Sequence, residues 1–477
     1  MLYDIVIIGG GVIGGMMARE LSKYKLKVCV LEKENDVACG ATKANSGIIH
    51  GGYDPEPDTL KAKLNAEGVE LLYKAAEELS VPFKNNRALV CAFSADEDEC
   101  VKELYWRGLK NGITEIKVIS GDEARSIEKN LSKEVTSALY VKNSGIISPY
   151  ELCIAAIGNA MDNGVELKRN FTVSKINATE EGYAVTSTNN DTVCGKYVIN
   201  CAGCYSDKIA NLVGDFSFQI IPRAGEYMLL DKEEGKSVDC TIFQVPTQKG
   251  KGILVTPTAE GNLLLGPTAD KVDSPECNET TSNGLDSVIV GARKSVPSVK
   301  INKVITSFCG IRSSEKSGDF IIKESESAKN FINVAAIDSP GLTSSVAIAK
   351  YVINILNDLG VSFVSKESWN GLRESMCKFK EMNLEEKDAF IRENPEYGKI
   401  ICRCETITEG EILSAIRTNP KALDVDSVKR RTRAGMGRCQ GGFCTPYILK
   451  MISKENGISL EEVTKKGEGS EFLVGEI

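Results

Sequence analysis

Three groups of residues in this 477-residue chain have the types and spacing to do chemistry. The first is Gly9, Gly11 and Gly14, a G-x-G-x-x-G run that follows an apolar stretch from Leu2 to Ile8 and leads into a helical pattern. In that setting Gly9 allows the tight turn, Gly11 lets a pyrophosphate reach the backbone, and Gly14 lets helix and strand pack closely. The phosphates would sit on free N–H groups at the helix N-terminus, where the dipole also favours negative charge. A second apolar run, 27–31, ends at Glu32, placed to hold a ribose hydroxyl. Strand, glycines, helix, strand and acid in register predict a dinucleotide site; a glycine-rich turn that binds nothing is the weaker reading.

The second group is Cys402, Cys404, Cys439 and Cys444. A C-x-C pair and a C-x4-C pair put four thiolates on two loops, which suits an iron–sulfur cluster or structural zinc. Zinc more often takes C-x2-C at both ends. The run Lys429-Arg430-Arg431-Thr432-Arg433 before the second pair reads as a solvated face, as charge compensation for a thiolate cluster, or as a docking patch. The third group is one residue, His50, the sole histidine of the chain. An imidazole with a pKa near neutral is the natural acceptor for a hydroxyl proton, and a packed loop histidine is the bland alternative.

Positioning these groups falls to alternating elements along a chain long enough for two or three domains. The stretch 36–52 is small, glycine-rich and polar, suited to packing against a flat ring system. Asp58 reads as the N-cap of a helix through Leu79, with Leu60, Leu64, Leu71 and Leu72 buried and Lys61 and Lys63 on a solvated face. A strand at 88–93, a charged helix at 96–111 and a helix at 150–163 follow. The strand 196–200 ends in Cys201-Ala202-Gly203, suited to close backbone approach, and leads into a helix at 206–213. Cys201-x-x-Cys204 reads as a chance pair.

From 220 to 267 the pattern turns antiparallel, with a hairpin of 252–257 and 262–266 about the turn 259–261. Gly310-Ile311-Arg312 closes it. A strand at 333–337 returns to Ser339-Pro340-Gly341-Leu342-Thr343, which opens a helix to about 359. Residues 361–399 are charged and weakly periodic, a predicted helical linker.

Composition narrows the function classes. With 42% apolar and 26% charged residues the chain is an ordinary globular protein, and a net charge of −8 argues against nucleic acid as a partner. Its sixteen cysteines are not spaced like a disulfide scaffold, and most are expected to be reduced. With the first strand starting at residue 2 no leader is expected, and no apolar run reaches membrane-span length. The expected location is cytoplasmic, or peripheral to the inner face of the membrane.

These landmarks together resemble the D-amino-acid-oxidase-like superfamily of FAD-dependent oxidoreductases. The resemblance covers the first 360 residues: Gly9/Gly11/Gly14, Glu32, Asn45-Ser46-Gly47-Ile48-Ile49-His50-Gly51-Gly52, Asn200-Cys201-Ala202-Gly203, Gly310-Ile311-Arg312 and Ser339-Pro340-Gly341-Leu342-Thr343. Two branches are similar, the glycerol-3-phosphate dehydrogenases and the L-2-hydroxyglutarate oxidases, and Leu254-Val255-Thr256-Pro257-Thr258 with Gly266-Pro267-Thr268-Ala269 fits both. The tail from Pro395 to Pro446 resembles the 2Fe–2S domain of anaerobic glycerol-3-phosphate dehydrogenase catalytic subunits, related to bacterioferritin-associated ferredoxin. It does so through Ile401-Cys402-Arg403-Cys404-Glu405 and Gly437-Arg438-Cys439-Gln440-Gly441-Gly442-Phe443-Cys444. Where the glycerol-3-phosphate branch often has a phosphate-binding arginine, Tyr53-Asp54-Pro55 stands here, and Leu60-Lys61-Ala62-Lys63-Leu64 is similar to the hydroxyglutarate branch.

The resemblance implies an α/β fold with a discontinuous Rossmann-type FAD-binding domain (1–80, 145–215 and 305–360). It adds an antiparallel-sheet substrate domain (81–144 and 216–304), the helical linker 361–399 and a small helical 2Fe–2S domain (400–477). Asn45, Ser46, Gly47, Ala202 and Gly203 join the glycines and Glu32 at FAD, and Gly341, Leu342 and Thr343 aim backbone N–H groups at the flavin pyrimidine edge. His50 becomes the base beside the isoalloxazine or, as in some relatives, a site of covalent flavin attachment. Arg312 takes the substrate anion, Arg223 is second choice and Lys251 third. All four thiolates then hold a 2Fe–2S cluster. The expected function is a dehydrogenase for sn-glycerol 3-phosphate that passes electrons through the cluster to a partner subunit. L-2-hydroxyglutarate or another 2-hydroxy acid is the alternative substrate, and a non-catalytic electron-transfer subunit the alternative role.

Overall fold

A computed structural model describes residues 1–246, 252–374 and 379–475. The first strand, Leu2–Ile8, lies inside an eight-stranded sheet between Thr192–Asn200 and Val28–Leu31, parallel to both. Ile5, Val6 and Ile7 are fully buried, as a parallel strand covered on both faces must be. One face packs on the helices Val12–Leu21, Leu60–Glu78, Pro149–Asp162 and Gly341–Asp358. On the other side of Thr192–Asn200, Phe331–Ala335 adds in parallel and Ile321–Glu324 pairs antiparallel to it. Thr59 caps the helix Leu60–Glu78, its hydroxyl accepting the Ala62 N–H. The expected cap, Asp58, sits just outside at φ 66°.

A nine-stranded sheet forms the second layer. Its longest pairing joins Ile221–Leu230 antiparallel to Val304–Ser314, with Arg223 opposite Arg312. The expected hairpin is present as Leu254–Pro257 against Leu263–Gly266. Two expectations need correction. The sheet is mixed, because Thr241–Gln244 runs parallel to Ala88–Ala92. Val304–Ser314, expected with the FAD-binding segments, belongs to this second sheet, and it is 320 onward that returns to the first.

The described residues of the expected linker, 361–374 and 379–399, are mostly not α-helical. Residues 361–374 run as an extended strap along the first layer, where Lys25 N–H donates to Val364 O, Lys366 N–H to Lys23 O, and the Trp369 indole to Ser22 Oγ at 3.0 Å. Among the described residues of this span, only Leu384–Glu393 is α-helical, opened by a capping box from Asn383 and Glu386. Backbone bonding to a neighbour replaces the intrahelical ladder, which is why the weak periodicity there misleads.

The C-terminal unit is a hairpin, Ile400–Cys402 with Ile407–Thr408, and three helices, Glu409–Arg417, Val425–Thr432 and Thr445–Asn456. Capping boxes at Thr408 and Asp424 start the first two helices, and Ile412, Ile416, Val428, Ile448 and Ile452 fill its own core. Among the described residues no helix is long and apolar enough to cross a membrane.

Candidate active site

The first strand delivers Gly9 at φ +113°, a conformation that side chains rarely adopt. A Cβ there would lie 2.4 Å from Cys201 O, and one on Gly14 would lie 2.0 Å from Gly9 O. Glycine turn, helix start and the 201–203 turn are therefore pressed together without side chains between them. The helix Val12–Leu21 begins at an extended Gly11 with no side-chain cap of its own, and Thr42 Oγ1 accepts the Val12 N–H at 3.0 Å. Glu32 is buried; its carboxylate accepts the Gly10 N–H at 2.6 Å and the Glu34 N–H at 2.9 Å. Burial outweighs those bonds and pushes its carboxyl up to about 7. A side-chain-free turn, a helix N-terminus and a buried acid at the second strand's end fit a dinucleotide's diphosphate and ribose. Thr42 was not singled out in the sequence; its signal was only membership of the small polar stretch.

Asn45 clasps the following loop, donating to Ala41 O and Thr42 O and accepting the Gly47 N–H. Gly47 has φ +64°, and a Cβ on it would meet Ile147 O at 2.5 Å. The loop then pairs Ile48–Ile49 with Gly145–Ile147 and presents His50. The histidine backbone is locked: its N–H donates to Thr343 Oγ1 at 2.9 Å, and its carbonyl accepts from Asn65 Nδ2 at 3.1 Å. Its ring is partly exposed, with Nε2 3.2 Å from Ser339 Oγ and the ring centre 5.8 Å from that of Phe243. Thr343 sits in the first turn of Gly341–Asp358, a helix whose N-cap, Pro340, offers no side-chain acceptor. The helix start, with Gly341 buried and Leu342 partly exposed, therefore meets His50 directly.

Behind Ser339 stands Asp338, whose carboxylate takes the Lys61 ammonium at 2.6 Å and the Ser314 hydroxyl at 3.0 Å. Lys61 is thus not a solvated-face residue. Its side chain is 13% exposed, because the first turn of its helix abuts an acid that needs a counter-charge.

Arg312 donates to Thr268 O at 3.1 Å, and Arg223, across the strand pair, to Ala269 O at 3.3 Å. Standing opposite each other in the strand pairing, the two arginines leave the same face of the sheet. The neighbours of Arg312 tie it to the histidine: Ser313 Oγ donates to Ile337 O and Ser314 Oγ to Asp338, the turn that holds Ser339. A Cβ on Gly310 would lie 1.9 Å from Ala44 O, so this strand also abuts the 45–47 loop. Ser46 Oγ lies 3.4 Å from the Tyr227 hydroxyl, and Tyr227 stacks on Phe308 with ring centres 4.9 Å apart. Ala202 N–H bonds Asn200 Oδ1, and Gly203 turns at φ +56° beside Gly9. Cys201 and Cys204 are free thiols. Lys251 lies outside the described residues.

The four C-terminal thiols form two pairs. Cys404 Sγ is 3.5 Å from Cys439 Sγ, and the neighbouring Cys444 thiol holds the Cys402 thiol below its ordinary range. Among the described residues no three His, Cys, Asp or Glu gather as a single-ion site.

The basic run before them is neither a solvated face nor a free patch. Asp36 is enclosed by Arg430 and Arg431, with contacts of 2.6 and 2.8 Å, and all three are buried. Arg433 reaches Glu405, the neighbour of Cys404, at 3.0 Å, and also Asn262 Oδ1 and the Tyr150 hydroxyl. Tyr150 in turn donates to Met436 Sδ at 3.8 Å. A cleft lined by Asn45, Ser46, Gly47, Tyr150, Arg433 and Met436 thus runs from the loop before His50 to the cysteine-bearing unit. Of these, Tyr150 and Met436 escaped the sequence reading as site residues, since their partners lie hundreds of positions away.

A family model described as FAD dependent oxidoreductase matches residues 4–355. The chain belongs to that family. A second model, a BFD-like 2Fe-2S binding domain, matches residues 400–454. The flavoprotein is 48% identical to a glycerol 3-phosphate dehydrogenase of Caloramator mitchellensis over 99% of this chain and 98% of the relative. An L-alpha-glycerophosphate oxidase from Mycoplasma pneumoniae, solved with FAD bound, is 34% identical with a TM-score of 0.74, covering 78% of this chain and 98% of that one. A mitochondrial L-2-hydroxyglutarate dehydrogenase of Nematostella vectensis is 29% identical over 73% of this chain and 89% of its own length. FAD and a 2Fe–2S cluster are therefore the cofactors of this oxidoreductase, as the sequence led one to expect.

Proposed function

We propose that this flavoprotein oxidises the secondary alcohol of sn-glycerol 3-phosphate to dihydroxyacetone phosphate and delivers the electrons to a protein acceptor. The observation that carries the reading is the full-length likeness to a glycerol 3-phosphate dehydrogenase, which spans both the flavin unit and the cysteine-bearing tail. The glycerophosphate oxidase is almost wholly covered while matching only 78% of this chain, and a direct oxidase has no need of a relay. Bound FAD would supply the hydride acceptor for the carbinol carbon, and a bound 2Fe–2S cluster a one-electron path onward.

The rest falls to side chains of this chain. His50 Nε2 accepts the hydroxyl proton, its ring held by a clamped backbone and by Ser339. Arg312 and Arg223 hold the phosphate dianion between their forks. Gly9, Gly11, Gly14 and Glu32 hold the dinucleotide, with Asn45, Ser46, Gly47, Ala202 and Gly203 at its edge. The first turn at Gly341, Leu342 and Thr343 offers N–H groups where negative charge collects on the ring. Cys402, Cys404, Cys439 and Cys444 ligate the cluster. Free thiols throughout the described residues fit a cytoplasmic setting, in solution or against the inner membrane face.

L-2-hydroxyglutarate is the second reading, favoured by the Nematostella relative and by Tyr53-Asp54-Pro55 where a phosphate-binding arginine would stand. Anaerobic addition of each compound to the FAD-loaded protein decides between them. Glycerol 3-phosphate is expected to bleach the flavin within turnover time and L-2-hydroxyglutarate to leave it yellow. The reverse result overturns the substrate assignment, and bleaching by neither hydroxy compound favours an electron-transfer subunit.

A further inference from the structure

The outward side of the C-terminal unit has no part in the chemistry of His50, yet it is built unlike ordinary surface. Phe443, between two cluster ligands, is 78% exposed, and Tyr447 is 53% exposed. With Lys450 and Lys454 they follow spacings of four, three and four into the helix Thr445–Asn456, which sets all four on one exposed stripe. The opposite side of that helix, Ile448, Leu449, Met451 and Ile452, fills the unit's own core. Cys404 is exposed, whereas Cys402 and Cys444 are buried. Contacts with the rest of the chain are made through Arg430, Arg431, Arg433 and Arg438.

Charge separates this side from the rest of the chain. Between Met436 and Lys454 there is no Asp or Glu, while Arg438, Lys450 and Lys454 are present, in a protein of net charge −8. Arg438 is spent on Asp231 and Glu233. Lys450 and Lys454, on the stripe with the two exposed aromatic rings, and the exposed Arg403, between the first two ligands, give this unit's surface a positive charge. Exposed aromatic anchors accompanied by charge are features of a protein interface, with the charge steering encounter.

We infer that this stripe is the docking surface for an electron-carrier protein whose own redox centre is ringed by carboxylates. The inference rests on the relay proposed for the 2Fe–2S unit. Each encounter moves one electron from the reduced protein to the oxidised carrier. Two encounters clear the pair that one molecule of glycerol 3-phosphate supplies, and two protons go to solvent, one from its hydroxyl and one from the carbinol C–H once that hydride's two electrons have left.

The test uses the loaded full chain, wild type, Phe443→Ser and the double variant Lys450→Glu/Lys454→Glu, each assayed for iron and for the reduced-cluster resonance. The probes are the soluble domain of cytochrome b5, acidic around its haem, and horse cytochrome c, basic around its haem. Wild type is expected to reduce cytochrome b5 with a second-order rate constant that falls steeply with salt. The charge reversal is expected to lower that constant about tenfold and to raise the one for cytochrome c. Phe443→Ser is expected to weaken binding of redox-silent, zinc-substituted cytochrome b5 about tenfold. Flavin bleaching by glycerol 3-phosphate stays the same throughout. A wild type that prefers the basic carrier, or variants that match it with both probes, overturns the docking surface while leaving the relay intact. A wild type whose bleached flavin never yields a reduced-cluster resonance overturns the relay, and the docking surface with it.

Discussion

Glu32 and Asp36 leave the same strand end four residues apart and are both buried, yet they are handled in opposite ways. Glu32 accepts two backbone N–H groups, and burial still pushes its carboxyl up to about 7. Burial would raise Asp36 too, but the Arg431 and Arg430 guanidiniums outweigh it and hold that carboxyl well below the usual range. One acid is held by backbone dipoles, and we propose that a ligand's hydroxyls complete it; the other is paired within the chain. The first marks a site that opens and refills, the second a seam meant to stay shut.

The seam should break hardest. Asp36→Ala leaves two buried guanidiniums without their anion, a loss of about 3–5 kcal/mol for a pair broken on one side. The C-terminal unit is expected to melt apart from the flavin unit, and residues 361–399 to become the preferred site of limited proteolysis. An Asp36→Ala protein that melts and resists protease like wild type would erase the distinction between the two acids.

On the refilling side the sharpest cut is His50→Asn. It is expected to lower kcat about 10²–10³-fold, roughly 3–4 kcal/mol of barrier, with FAD still bound and the C-terminal unit still docked. Turnover within a few-fold of wild type would remove His50 as the base.

The two acids also predict opposite pH responses. Glu32, raised in the folded chain, contributes stability that is present below its unfolded value and lost as pH rises through about 7. Asp36, depressed, contributes stability present above the ordinary carboxylate range and lost only as pH falls below about 4. Between pH 5 and 8 the FAD-free protein should therefore lose stability, on the order of 2 kcal/mol, and Glu32→Gln should flatten the slope. Thermal unfolding across that range measures it, and loading FAD should flatten it as well, because ribose hydroxyls favour the carboxylate. An unchanged slope in Glu32→Gln would assign the effect to another group.

What could be read from the chain alone divides along the same line. The glycine cradle, Glu32 and the hairpin 254–266 were legible because short-range backbone geometry demands particular residues at particular spacings. The four cysteines stood out by their spacing, and the fold brings Cys404 to 3.5 Å from Cys439. The basic run 429–433 was not, since a string of Lys and Arg looks alike whether it meets water or an acid about 395 positions earlier. Lys61 failed similarly: helical periodicity gives the face, and only the fold brings Asp338 against it. The parallel pairing of Thr241–Gln244 with Ala88–Ala92 is likewise a long-range choice with no local signature.

Lys61 also supplies the smallest test, at the point where seam-like pairing meets the substrate side. Its ammonium is half-way in character, 13% exposed against an Asp338 that is 20% exposed, so the pair is worth about 1 kcal/mol rather than the several of a sealed one. Asp338 anchors the turn that sets Ser339 against His50 Nε2, which makes Lys61 a positioning residue acting two contacts from the proton. Lys61→Gln is expected to lower kcat/KM about three- to tenfold with KM little changed, and to move the acid limb of its pH profile, because the hydrogen bond on the imidazole loosens. Lys61→Arg should restore both. A stability loss with an unmoved pH limb would make Lys61 a purely structural tie, and the partly buried pair would then belong with Asp36 on the closed side of the molecule.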